Sequence, residues 1–341
     1  MKINTIRKAI LIIVASFAIS GSLWAQCCGG SNGSPIAGGS SQGVLKENQF
    51  EINTSFQFIN TNKSYSGDTP DTVSVYKYSS SYNYTRFAYG VTKNLTFSLE
   101  TGYWFNKTED EPDKKLSFTS KGIGDLIIFP RYNVFYLEKN HKRTEITIGL
   151  GFKIPLGKFN DSTSMIEPFS GQKYYITNPV AVQPTSGSHD LIFYALLSRS
   201  YSFYNLRLFA NMLYVKKGWN QLGEKMGDYM SVGLFAGKTF YEKLGITMQL
   251  KGEWIAKMQL NKDVALYGIQ SYDPLATGSR KILFVPQLSY SFNGFTVYAL
   301  SEIPLYQYVN KTQIGSQYLT TLGLSYRFMR TKKTCAVDEV K

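Results

Sequence analysis

Residues 318–328 alternate strictly. Tyr318, Thr320, Leu322, Leu324, Tyr326 and Phe328 share one face, and Leu319, Thr321, Gly323, Ser325 and Arg327 share the other. A period of two is that of a β-strand. One face is greasy and tipped with aromatics, and the other is mostly small or charged. Such a strand fits between lipid and a wet lumen.

The same beat recurs along the chain. It predicts strands near 50–59, 80–91, 95–105, 118–136, 146–154, 190–198, 206–214, 229–240, 244–255, 281–292, 295–306 and 318–328. In the fifth, Ile146, Ile148, Leu150, Phe152 and Ile154 oppose Thr147, Gly149, Gly151 and Lys153. Short breaks at 92–94, 138–142, about 201, 241–243 and 293–294 alternate with long ones at 61–77, 107–115, 157–187, 216–227, 257–279 and 309–315. The break at Asn293-Gly294 is a hairpin turn pair. A soluble sandwich also alternates, but it has less reason to sort its loops by length. Twelve strands with short turns at one rim and long loops at the other predict an all-β fold, a 12-stranded antiparallel transmembrane β-barrel over 47–328. The short turns belong in the periplasm and the long loops outside the cell.

The ends read differently. Lys2, Arg7 and Lys8 precede an apolar run at 9–19, followed by the small residues Gly21, Ser22 and Ala25. This is a secretory signal with cleavage expected after Ala25. Residues 26–46 form a Cys/Gly-rich periplasmic segment, a candidate plug, and 329–341 form a periplasmic tail. Lipidation at Cys27 is the alternative reading, and Gln26 before it is a poor fit. After the signal no apolar run approaches about 18 residues, so no helix is expected to cross a membrane. Export and alternation together point to the outer membrane, with its lipids and the barrel assembly machinery as partners.

Composition agrees. The 341 residues include 25 Tyr and 22 Phe, which favour strands and membrane interfaces. A mean hydropathy of -0.19 disfavours helical membrane proteins, but not a barrel, which needs only alternate apolar residues. The net charge of +13 is scattered among acids, as in 109–115, so no nucleic-acid patch forms. Lipid headgroups or an electropositive lumen are better uses for it.

If the greasy face meets lipid, Glu51, Arg86, Glu100, Lys121, Asp125, Arg131, Lys153, Arg207, Lys251, Glu253, Glu302 and Arg327 face the lumen. They either pair and fill the interior or form a selective path. Arg131, Lys153, Arg207, Asp125, Glu100, Lys251, Glu253 and Arg327 are the pathway candidates. Cys27, Cys28 and Cys335 are disulfide or thiol candidates, though adjacent cysteines rarely bond each other. No His or third Cys beside Cys27-Cys28 completes a metal site, and no C-x-x-C-H supports haem, so no cofactor is expected. His141 and His189 are the only histidines. His189 sits between Ser188 and Asp190, but triads are assembled in space, and no catalytic residue is assigned.

Gly122-Ile123-Gly124-Asp125-Leu126, followed by Gly149-Leu150-Gly151-Phe152-Lys153-Ile154-Pro155-Leu156-Gly157, resembles the outer-membrane transporter-like family named after the meta-pathway of phenol degradation. That family is loosely related to the FadL-like channels. The resemblance implies a monomeric barrel that passes small hydrophobic or aromatic molecules, with an N-terminal segment plugging the lumen. The expected function is a passive channel or facilitator for a small hydrophobic or amphipathic ligand, through the lumen or the wall. The alternatives are a structural barrel that docks a partner through the Cys/Gly segment, and an outer-membrane lipid hydrolase.

Overall fold

The structure, a computed structural model, describes residues 43–72, 76–111, 116–167, 169–262 and 273–329. The signal segment, Cys27, Cys28 and Cys335 lie outside the described residues, as does most of 26–46. Twelve long strands are present: β1 Gln49–Thr61, β2 Lys77–Gly90, β3 Leu95–Glu111, β4 Asp125–Lys139, β5 Lys142–Pro155, β6 Asp190–Tyr201, β7 Leu206–Lys216, β8 Tyr229–Phe240, β9 Leu244–Ile255, β10 Ser279–Phe292, β11 Phe295–Ile314 and β12 Leu319–Met329. Each pairs antiparallel with its neighbour in sequence. β12 returns to β1, from Gln49 opposite Met329 to Ile59 opposite Leu319. The barrel is closed. Closure leaves no strand edge, which a bilayer would penalise by several kcal/mol per unpaired group.

The outer face is apolar. Phe87, Phe97, Leu99, Leu150, Phe152, Phe193, Leu250 and Leu322 are exposed, while the alternate residues Arg86, Ser98, Glu100, Gly151, Lys153, Ile192, Lys251 and Thr321 are buried. Lipid is the solvent that makes this pattern favourable. At the short-turn rim a run of rings crosses the seam between the ends. Tyr89 packs on Phe50 at 4.5 Å, Phe50 on Phe328 at 5.4 Å, and Tyr326 on Phe295 at 4.3 Å. Rings with one polar tip suit the headgroup level. The two-residue turns at Asn140-His141 and Asn293-Gly294 have positive φ at both central positions, the mirror turn that matches strand twist.

Three expectations need correction. The predicted strand 118–136 is two pieces. Leu116–Ile123 extends β3 as a hairpin above the barrel, and β4 starts afresh at Asp125. Gly122 at φ +146° and the Gly124 N–H bond to Gly102 O (2.8 Å) make the break. Lys121 therefore lies exposed on the hairpin and does not face the lumen. Second, β11 runs on to Ile314 through the expected loop at 309–315, carrying the short strand Ser64–Gly67 beside it. Third, the long loop after β5 is only half external. Ser162–Ile166 and Lys173–Thr177 form an outer hairpin, whereas 178–188 folds back and is almost wholly buried.

Candidate functional site

The lumen has two unlike walls. Strands β4 and β6–β9 contribute a buried apolar cluster that includes Phe129, Ile192, Tyr194, Leu196, Phe209, Leu213 and Phe235. Phe209 and Phe235 stack at 4.4 Å. Strands β12 and β1–β3 contribute Thr321, Ser325, Glu51, Asn53, Arg86, Ser98 and Glu100. The motif glycines serve the apolar wall. A Cβ at Gly149 or Gly151 would meet the Phe129 ring at 2.8 or 2.9 Å, so the bare backbone of β5 is the floor on which that ring lies.

Charged residues gather in three places. Near the short-turn end, Glu51 accepts from Arg86 Nη2 and from Arg327 Nε. Beside them Glu100 accepts from Tyr84 OH at 2.6 Å and Ser98 Oγ at 3.0 Å. On β9 and β10, Glu253 lies 3.2 Å from Lys281 and 3.4 Å from Lys251, and accepts from Tyr229 OH. Lys251 also pairs with Glu302 at 3.0 Å. At the long-loop rim Asp190 pairs with Lys153 at 2.9 Å and Lys217 at 3.1 Å, and Lys153 also holds Asp125 at 3.1 Å. Buried ions at these spacings must be paired, because unpaired ones carry a heavy desolvation penalty.

The third group anchors the inward segment. Lys153 Nζ donates to Ser186 Oγ at 2.6 Å, and Asn220 Nδ2 to Ser186 O at 3.1 Å. Lys107 Nζ donates to Gln183 O at 2.7 Å, and Asn178 Nδ2 to Ser120 Oγ at 2.9 Å. Val180 packs with Met226 and Met258. The segment is thus pinned beneath the long loops at that rim. Outside the wall, Asp228 ties the next loop down. It accepts from Lys216 Nζ at 2.6 Å, the Lys217 N–H at 2.9 Å and Tyr214 OH at 3.0 Å. Partial burial pushes its carboxyl up, but these donors outweigh it and hold the group below the ordinary carboxylate range.

At the opposite end lies a cavity of about 700 Å³, lined by Glu51, Arg86, Arg131, Arg207, Phe209 and Tyr298 among others. The sequence-predicted residues therefore fall at three levels. Arg131, Arg207 and Arg327 face the cavity, with Glu100 hydrogen-bonded just behind it. Lys251 and Glu253 pair along β9, with Lys281 of β10 on Glu253, and Asp125 and Lys153 lie under the inward segment. Ser188 and His189 face opposite sides. Ser188 is buried and donates to Asp190 at 2.8 Å, whereas the exposed His189 ring stacks on Phe152.

Among solved structures, an outer membrane channel from Pseudomonas putida F1 matches with a TM-score of 0.59 at 12% identity, over 85% of this chain and 98% of that one. The fold is an outer-membrane β-barrel. The β-domain of the Bordetella autotransporter BrkA matches at 0.44 and 10% identity, over 83% of this chain and 100% of that one. The P. putida toluene transporter TodX matches at 0.38 and 10% identity, over 84% and 92%. No protein-family model and no curated protein matches the sequence.

Sequence reasoning missed the inward segment and the apolar wall. Both had signals. Val180-Ala181-Val182 between Pro179 and Pro184 is an apolar run in a supposed surface loop, and 191–197 is apolar at every position. A strand that is apolar on both faces is covered on both faces.

Proposed function

We propose that the protein is a passive outer-membrane channel for small hydrophobic or amphipathic molecules, exported by a signal cleaved after Ala25 and acting as a monomer. One observation carries this reading. The lumen has an apolar wall and a charged wall, running from an open cavity to a segment pinned over the far mouth. A solute with both characters finds a partner on each side, and the pinned segment is the barrier it must displace. The P. putida protein of similar fold is itself a channel. Of the pathway candidates, Arg131, Arg207, Glu100 and Arg327 are proposed to line the route at the cavity, and Asp125, Lys153, Lys251 and Glu253 to fasten the interior around it.

The test is liposome swelling in a small sugar, together with conductance in planar bilayers. It compares the full-length barrel with a variant in which 179–187 is replaced by a Gly/Ser linker. Flux that rises in the variant supports the reading. No flux through either barrel refutes it and leaves the second reading, a sealed barrel that docks a partner, which the buried segment also fits.

A further inference from the structure

The outer face of the barrel is not uniform at the short-turn rim. From β10 round to β2 it carries packed rings, among them Phe292, Tyr326, Phe328, Phe50 and Tyr89. On β4, β5 and β6 it carries cations. Lys139 lies directly opposite Lys142 across the Asn140-His141 turn. Lys142 lies opposite Tyr201, and Arg199 is two residues along the same strand as Tyr201. Arg199 is in phase with the exposed Leu197 and Phe193, so it stands on the lipid side, and the register puts Lys142 and Lys139 on that side too. All three are exposed. The adjacent Glu138, Arg143 and Glu145 point the other way and line the short-turn cavity. None of the three cations forms an ion pair among the described residues. Like charges directly opposite each other destabilise a strand pair. Arg199 lies 5.6 Å from the Tyr201 ring, a contact that needs none of its N–H donors. In the next turn Phe203 and Tyr204 are 82% and 63% exposed, as rings at headgroup level are.

We infer that Lys139, Lys142 and Arg199 form a site for an anionic phospholipid of the periplasmic leaflet, with its phosphodiester on the three cations and its acyl chains along Leu197, Ile148 and Phe193. Lys142 and Arg199 are diagonal neighbours on adjacent strands, about 7–8 Å apart, a gap that long side chains bridge. A phosphodiester supplies the counter-charge that the opposed lysines lack, and cations at a membrane surface favour such headgroups. The exposed apolar residues further along the same strands give the acyl chains a surface that a soluble anion cannot use. The site is on the outside of the barrel, so the inference does not rest on the channel reading.

The experiment is native mass spectrometry of the whole barrel released from nanodiscs of phosphatidylcholine and phosphatidylglycerol in equal parts, which counts each lipid retained. Phosphatidylglycerol is expected to be retained in preference by at least about ten-fold, since each cation near the surface contributes about a five-fold factor. The Lys142→Gln/Arg199→Gln variant is expected to lose about ten-fold of that preference. The control is Lys238→Gln/Lys243→Gln, which removes two exposed charges from the same rim at β8 and the turn after it. Those positions are about three strand spacings from Lys142, some ~14 Å, so the control should keep the preference within about two-fold. Folding is checked by heat-shifted gel migration, and Arg199→Gln alone, with about a five-fold loss, carries the test if the double variant misfolds. Equal retention of the two lipids overturns the inference, and so does an unchanged Lys142→Gln/Arg199→Gln. A control that loses as much as the test variant also overturns it, because diffuse rim charge then accounts for the preference. Displacement of phosphatidylglycerol by millimolar glycerol phosphate would mark a soluble-anion site and overturn it as well.

Discussion

Gln183 is the residue whose loss should open the long-loop mouth. It is fully buried in the inward segment. Its Nε2 donates to Asp161 O at 2.9 Å and Asn178 O at 3.0 Å, and its Oε1 accepts from the Asp161 N–H at 2.9 Å. These bonds tie the outgoing and returning limbs of the loop into one shape. Gln183→Ala removes all three. At about 1 kcal/mol each, the seated form loses about 3 kcal/mol, and every 1.4 kcal/mol is a factor of ten in the ratio of states. The released-to-seated ratio should rise roughly 100-fold. Lys107 still holds the Gln183 carbonyl, so release should be partial. Single-channel recording reads this as a rise in open probability of about two orders of magnitude, with faster liposome swelling. The β-sheet circular dichroism should stay unchanged, since no barrel strand is touched. Unaltered conductance in a correctly folded Gln183→Ala barrel would show that the segment is not the barrier.

Three further outcomes can be checked. Glu253→Gln leaves Lys281 and Lys251 facing a neutral amide, and should lower unfolding stability in guanidinium by about 3–5 kcal/mol. Adding Lys281→Met should recover part of that loss, a coupling that a double-mutant cycle reads. Asp228 has a folded pKa below its ordinary 3.8, so its stabilising effect is complete above about that pH and is lost as the pH falls through the lower folded value. The melting-temperature gap between the native protein and Asp228→Asn should therefore be present at pH 6 and vanish in strong acid. It should be small, because the group is partly exposed. A gap that widens in acid would contradict the assignment. Gly157→Ala would drive a Cβ into the Ile123 carbonyl, so the folded fraction should drop or the segment unseat, whereas a neutral result would mean the loop base has slack.

The barrel was legible because lipid enforces a period of two on every crossing. β8 and β9 were predicted residue for residue, and the Asn293-Gly294 turn was signalled by its own chemistry. The alternation also placed Glu51, Arg86, Arg131, Lys153, Lys251 and Glu253 inside. It failed where period two does not decide the structure. In 118–136 the pattern runs on through Gly122 and Gly124, and only a backbone bend, invisible to polarity, separates hairpin from barrel. The segment 178–188 has no period at all. Its place is set by contacts with Lys107 of β3 and Lys153 of β5, which a period of two does not reveal. The apolar wall escaped because polarity was read as lumen, whereas a small barrel must also fill its interior.

Pairing or path, the two readings of the lumen charges, divide by level. At the long-loop rim two carboxylates, Asp125 and Asp190, meet two ammoniums, Lys153 and Lys217. Across β9, β10 and β11 Glu253 and Glu302 meet Lys251 and Lys281. Both groups balance, and both lie where side chains pack the interior, so they fill and fasten. The short-turn group does not balance. Two buried carboxylates, Glu51 and Glu100, stand among Arg86, Arg131, Arg207 and Arg327, and here the interior opens into a cavity. Charge surplus coincides with empty volume. A packing role would predict the reverse, with the least compensated cations drawn against acceptors in the densest part of the barrel. The excess therefore sets the short-turn end apart as the part of the lumen that packing does not fill.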